Sequence, residues 1–162
     1  MKVPLSAPDI NQDDISAVLS VLQTNQLSLG PRLSEFEKVM TDWAGQKHGI
    51  AVNSGTSGLH LIIRAMDLKD GDEVITTPFS FIASSNCLLF ERAVPVFADI
   101  EPETLNIDPS AIERAITPKT KAILAVHAFG HPADMDPIRE IAQRHSLRVI
   151  EDSCEAIGAQ YK

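Results

Sequence analysis

Residues 72–100, "DEVITTPFSFIASSNCLLFERAVPVFADI", decide the fold. "DEVITT" (72–77) is a short run carrying β-branched residues, which predicts a strand. "FIASSNCLLFE" (81–91) follows a loop broken by Pro78 and predicts a helix. "AVPVFADI" (93–100) is strand-like again. Strand, helix and strand in so short a stretch point to parallel strands joined by a crossover helix.

The alternation continues on both sides. Upstream, "GIAVNS" (49–54) reads as a short strand and "GLHLIIRAMDL" (58–68) as a helix. Downstream, "PSAIERAI" (109–116) predicts a helix with Asp108 as N-cap and Pro109 at its first position. "KAILAVHAFG" (121–130) predicts a buried strand. "PIREIAQRH" (137–145) predicts a helix that starts at Asp136-Pro137, and "LRVIED" (147–152) a last strand. Near the start, residues 12–24 place Ile15, Val18, Leu19 and Leu22 at helical spacing, and residues 32–44 do the same for Leu33, Phe36, Val39 and Met40. The expectation is an α/β fold: N-terminal helices over 1–48, then a mostly parallel sheet over 49–162 with helices on both faces. Right-handed crossovers bring the strand ends to one rim, where ligands of such sheets bind.

Composition narrows the partners. The 162 residues carry a formal net charge of −8, with 22 acidic and 14 basic side chains, which argues against nucleic acid as the main partner. An anionic small ligand stays open, because a helix terminus binds anions locally. Only Cys87 and Cys154 are cysteines, so the chain reads as a reduced cytoplasmic protein and not as a disulfide scaffold. "MKVPLSAPDINQDD" lacks the apolar core of a signal peptide, and no apolar run reaches membrane-spanning length. No His/Cys spacing fits a tetrahedral zinc site.

Four stretches can carry chemistry. "VNSGTSGLHL" (52–61) sets Ser54–Gly58 at a helix N-terminus, where free backbone N–H groups and the hydroxyls of Thr56 and Ser57 form a phosphate cup. It also reads as a plainly capped turn. The Walker and Rossmann glycine patterns are both absent. "TTPFSFIASSN" (76–86) places Phe79 and Phe81 at the rim, either to stack on a flat ring or to fill the core. "RVIEDSCEAIGA" (148–159) ends a strand on Glu151 and Asp152. A buried carboxylate there needs a cation or a set of donors, and a protonated pyridine nitrogen would serve. At ~4 Å and an effective dielectric of about 20 that attraction is roughly 4 kcal/mol. Asp152 as a helix N-cap is the alternative. Glu155, one turn on, reaches either a ring substituent or solvent. In "AVHAFGHPADMD" (125–136), His127 lines a pocket or sits satisfied in the core. A Cys154–His pair as a nucleophile is a further, weaker reading.

Taken in order, "NSGTSGLHL", "TPFSFIASSN", "VHAFGHPADMDPI" and "VIEDSCEAIGA" resemble the N-terminal part of DegT/DnrJ-type aminotransferases from about Pro4 to Lys162. These are nucleotide-sugar enzymes that use pyridoxal 5′-phosphate on the aspartate aminotransferase fold. The resemblance implies the large domain of that fold, truncated, with the small C-terminal domain absent. It implies that Gly55, Thr56 and Ser57 hold the cofactor phosphate, that Phe81 stacks on the ring, and that Asp152 pairs with the ring nitrogen. Glu155 stands where many relatives have Gln or His beside the ring hydroxyl, and Asn86 and His127 support the site from behind. The Schiff-base lysine is expected beyond residue 162, so no catalytic residue is assigned. Lys162 sits at no matching motif.

By the same resemblance, a keto-sugar nucleotide is the substrate, glutamate or glutamine the amino donor, and the enzyme a homodimer. The loop around Leu27–Pro31 is a candidate interface element. A dehydratase of the same family, an inactive cofactor- or sugar-nucleotide-binding module, and an unrelated phosphate-binding protein are the competing readings. An unfinished parallel sheet exposes an edge and apolar faces, so association in isolation is expected.

Overall fold

The computed structural model describes residues 7–162. These divide into two compact units, one ending at Ala51 and one running from Val52 to Lys162.

The first unit holds α1 (Gln12–Leu22) and α2 (Pro31–Ala44). α1 starts on a capping box: Asn11 Oδ1 accepts the N–H groups of Asp13 and Asp14, and Asp14 Oδ2 accepts that of Asn11. α2 starts with Pro31 at its first position and stops at Gly45, whose φ is +63°. Neither helix buries a residue.

The second unit is the α/β body: α3 (Gly55–Ala65), β1 (Glu73–Thr76), α4 (Ala83–Phe90), β2 (Val94–Phe97), α5 (Pro109–Ala115), β3 (Thr120–Val126), α6 (Met135–Arg144) and β4 (Arg148–Asp152). The strands pair in parallel in the order β2-β1-β3-β4. Strand alternation splits the core between two faces. Val74, Ala122, Leu124, Val126 and Ile150 pack with Leu59 and Ile63 of α3 and with Cys87 and Leu88 of α4. Ile75, Ile123 and Ala125 pack with Ile112 of α5 and with Ile138 and Ile141 of α6. The sheet is thus covered on both faces, as expected.

Two expectations need correction. "GIAVNS" forms no strand. A strand needs a partner for its N–H and C=O groups, and among the described residues none pairs with it. Ile50 stays 82% exposed. The helix after it nonetheless starts at Gly55 with Ser54 as N-cap. α6 starts at Met135, ahead of Asp136-Pro137, with Asp134 as an N-cap whose side chain makes no capping hydrogen bond and instead accepts the Tyr161 hydroxyl. Pro137 is tolerated in that first turn because the N–H it lacks would have no partner within the helix. Asp136 pairs with Lys162 Nζ at 2.6 Å instead.

The topology defines one rim position. β1 leads through α4 to β2 on one side, and β3 leads through α6 to β4 on the other. β1 and β3 are neighbours whose chains depart in opposite directions, so a crevice opens between their carboxyl ends.

Candidate functional site

A cavity of about 460 Å³ fills that crevice. Pro78, Phe79, Ser80 and Phe81 come from the loop after β1. Val126, Ala128 and Phe129 come from β3 and the 3₁₀ turn after it, and Asp152, Cys154 and Glu155 from the end of β4. The lining brings together Phe81, Asp152 and Glu155. It does not include Gly55, Thr56, Ser57, Asn86 or His127.

Asp152 is its polar centre. The register pairs it with Val126, and both face the α3/α4 side of the sheet. The carboxylate is buried. Oδ2 accepts the hydroxyl of Ser84 on α4 at 2.9 Å, and Oδ1 accepts the N–H of Cys154 at 3.2 Å. Ser84 in turn shares a 2.7 Å hydrogen bond with Ser80. Residues after Asp152 form turns and no helix, so the N-cap alternative does not apply. Among the described residues no Lys, Arg or His forms an ion pair with it. A buried carboxylate with neutral donors alone is electrostatically unfinished.

Three phenylalanine rings share the cavity wall with this acid. Phe79 and Phe129 meet edge to face with centroids 6.0 Å apart. Phe81 and Phe129 are exposed, so neither is a core residue. Phe129 was not legible in the sequence. It lies in the left-handed region, with φ +52°, just ahead of Gly130 at φ +84°. Its N–H donates to Glu155 Oε2 at 3.1 Å, so one oxygen of Glu155 is engaged in holding the turn.

The α3 N-terminus reaches the same corner. A Cβ placed on Gly55 would lie 2.6 Å from Cys154 Sγ, so α3 approaches the turn after Asp152 closely and only glycine leaves it undisturbed. Ser54 Oγ accepts the N–H of Ser57 and donates to Ser57 Oγ. Ser57 therefore has its backbone donor satisfied but keeps its own hydroxyl proton. The N–H groups of Gly55 and Thr56 donate to no partner in the helix and remain available to an anion.

The opposite side of β4 is closed. His127 is buried; its Nδ1 accepts the N–H of Ala133 at 3.1 Å, which leaves Nε2 to donate to Glu151 Oε2 at 3.1 Å. Arg139 of α6 adds an ion pair to Glu151 at 3.5 Å. The His127 hydrogen bond, ahead of opposing burial, holds Glu151 below the usual carboxylate range. His127 is therefore a satisfied core histidine facing away from the pocket. The Cys154 thiol is pushed up to about 11, first by burial and then by its hydrogen bond to Asp152, the wrong direction for a nucleophile. Lys162, held above the usual lysine range by Asp136, is spent on that pair, and no lysine among the described residues lines the cavity.

Fold and site together define a class: an α/β protein with a cavity at the carboxyl rim of a parallel sheet, lined by a buried acid and close to a helix N-terminus. Residues 8–162 match the model of the DegT/DnrJ/EryC1/StrS aminotransferase family, and the chain belongs to that family. It is 44% identical to GDP-perosamine synthase of Caulobacter vibrioides over 99% of its own length and 44% of that protein's. The structure of an aminotransferase from Psychrobacter cryohalolentis matches with a TM-score of 0.94 and 42% identity, over 98% of this chain and 41% of that one. NtdA from Bacillus subtilis, solved with bound cofactor PMP, matches with a TM-score of 0.87 and 43% identity, over 92% of this chain and 35% of that one. The chain spans less than half the length of each of these relatives. Among the described residues no helix is long and apolar enough to cross a membrane.

Proposed function

We propose that the chain forms the pyridoxal 5′-phosphate-binding part of a sugar aminotransferase, which moves an amino group from glutamate or glutamine to a nucleotide-linked keto-sugar in the cytoplasm. One observation carries the reading. Asp152 is buried at the rim with neutral donors only, facing a cavity walled by phenylalanines and abutted by the α3 N-terminus through the Gly55–Cys154 contact. A protonated pyridine nitrogen supplies the missing cation, and a phosphate suits the free N–H groups of Gly55 and Thr56. The donor set and the size of the cavity therefore fit this cofactor.

When bound, the cofactor supplies an electron sink for cleavage at the amino-bearing carbon. The chain's residues do the rest. Asp152 keeps a proton on the ring nitrogen, since a charge pair at about 4 Å in partly excluded water is worth roughly 4 kcal/mol. Ser84 and the Cys154 N–H fix the direction of that carboxylate. Phe81 would stack on the flat ring, and Phe79 and Phe129, which line the same cavity, would help exclude water from the site. Gly55, Thr56 and the hydroxyl of Ser57 anchor the phosphate. Glu155, whose Oε2 accepts the Phe129 N–H, would have its other oxygen for a ring substituent. The lysine of the family chemistry has no counterpart among the described residues lining the cavity.

A homodimer is part of the proposal. It is supported by the exposed apolar stripe Ile15, Val18, Leu19 and Leu22 on α1. Titration of the chain with pyridoxal 5′-phosphate, followed by the cofactor's absorbance, tests the reading. Saturable binding that Asp152→Asn weakens supports it. Binding that ignores Asp152→Asn removes it.

A further inference from the structure

Phe129 stands in the cavity wall on a backbone that bulky side chains seldom adopt. Its own N–H is held by Glu155, but Ala128 before it and His131 two residues after it are held by Asn106, which lies outside the cavity lining. Asn106 is 2% exposed. Its Oδ1 accepts the N–H of Ala128 at 2.9 Å, and its Nδ2 donates to the carbonyl of His131 at 2.9 Å. One carboxamide thus spans the 3₁₀ turn Ala128–Gly130, and its orientation is fixed, because an N–H requires the oxygen and a carbonyl requires the nitrogen.

Asn106 is itself pinned. Its N–H donates to Thr104 Oγ1 at 3.2 Å, its carbonyl accepts the N–H of Glu101 at 2.9 Å, and the next residue, Ile107, bridges antiparallel to Ile100. This connection between β2 and α5 contributes no residue to the cavity lining. It meets the cavity only through that side chain's grip on the turn. Alanine at 106 would orphan a buried N–H and a carbonyl together, and aspartate would keep the acceptor but lose the donor.

We propose that Asn106 is a positioning residue, which locks the 128–131 turn so that Phe129 keeps its left-handed backbone and its ring forms the cavity wall against the bound flat ring. The effect on ligand rests on the cofactor reading above; the locking of the turn does not. The test uses the full chain with Asn106→Ala, Asn106→Asp, Phe129→Ala and the Asn106→Ala/Phe129→Ala double variant. Amide hydrogen exchange is read residue by residue, and pyridoxal 5′-phosphate affinity by titration.

In Asn106→Ala, exchange at Ala128 and Phe129 should rise about tenfold or more relative to Ile123–Ala125 of β3, with a smaller rise in Asn106→Asp. Affinity should fall about fivefold in each alanine variant, and no further in the double variant than in Phe129→Ala alone. Protection lost equally across β3 and the turn overturns the proposal. So does an affinity loss from Asn106→Ala that is as large without Phe129 as with it. A parent chain that binds no cofactor would remove the functional reading, while the exchange pattern still decides the role of Asn106.

Discussion

Glu151 and Asp152 are neighbours in the chain, end the same strand, and face opposite sides of the sheet. Glu151, on the α5/α6 side, meets His127 and Arg139, two basic side chains supplied by the protein. Asp152, on the α3/α4 side, receives only a hydroxyl and a backbone N–H, and it is the more deeply buried of the two. On the function proposed above, the contrast separates a structural acid from one prepared for a ligand. Where the fold has already provided the cation, the carboxylate holds helix to strand. Where it provides neutral donors beside a cavity, the charge is left without a cation from the described residues.

The sharpest way to break this contrast is to remove each acid in turn. Asp152→Ala should weaken pyridoxal 5′-phosphate binding about 100-fold or more, the scale set by a charge pair worth roughly 4 kcal/mol. Glu151→Ala should leave that affinity within about twofold, because Glu151 is not among the residues lining the cavity. Equal losses in the two titrations would erase the distinction.

Gly55→Ala comes next. Its Cβ would meet Cys154 Sγ at 2.6 Å, and overpacking of this kind costs about 1–3 kcal/mol. Affinity for the phosphorylated cofactor should fall about tenfold, and the Gly55→Ala/Cys154→Ala pair should recover most of it. Affinity for pyridoxal without its phosphate should not change. A loss that ignores the phosphate would place α3 outside the site.

On the closed side, Glu151→Gln should cost about 1 kcal/mol of stability at neutral pH, since the acid is part-exposed and its ion pairs are partly screened. The pH sign follows from its lowered folded-state pKa. The contribution is fully present above the unfolded value of about 4.3. It disappears as pH falls through the depressed folded value. The stability difference between parent and Glu151→Gln in chemical denaturation should therefore shrink below about pH 4. Ser84→Ala is the smallest change expected. It removes one donor from Asp152 and should lower cofactor affinity about threefold.

The sheet that carries this contrast is legible in the sequence, and what is not legible has physical reasons for being hidden. The strand-helix alternation gave the sheet and its two covered faces, because apolar runs bounded by turn residues leave few other solutions. "GIAVNS" misled because apolar composition says nothing about whether a pairing partner exists. Asp152 stood out as an acid ending an apolar strand. Which of Glu151 and Asp152 faced the cavity depends on the β3–β4 register, and no local pattern encodes that. His127 was open between pocket and core until its partners Ala133 and Glu151 were known. Asn106 carried no signal at all. The groups it holds, on Ala128 and His131, lie 22 and 25 residues along the chain. Phe129 was hidden for a related reason: Gly130 and Pro132 announce a turn, but not that the phenylalanine before them takes the left-handed conformation.

The central claim is that the α3 N-terminus and Asp152 grip the two ends of one molecule. A crystal structure of the chain with pyridoxal 5′-phosphate bound tests it most directly. The account predicts phosphate oxygens within about 3 Å of the Gly55 and Thr56 nitrogens, and the ring nitrogen about 2.7–2.9 Å from an Asp152 carboxylate oxygen. A cofactor whose phosphate lies away from α3, or whose ring nitrogen faces solvent with Asp152 untouched, would contradict it.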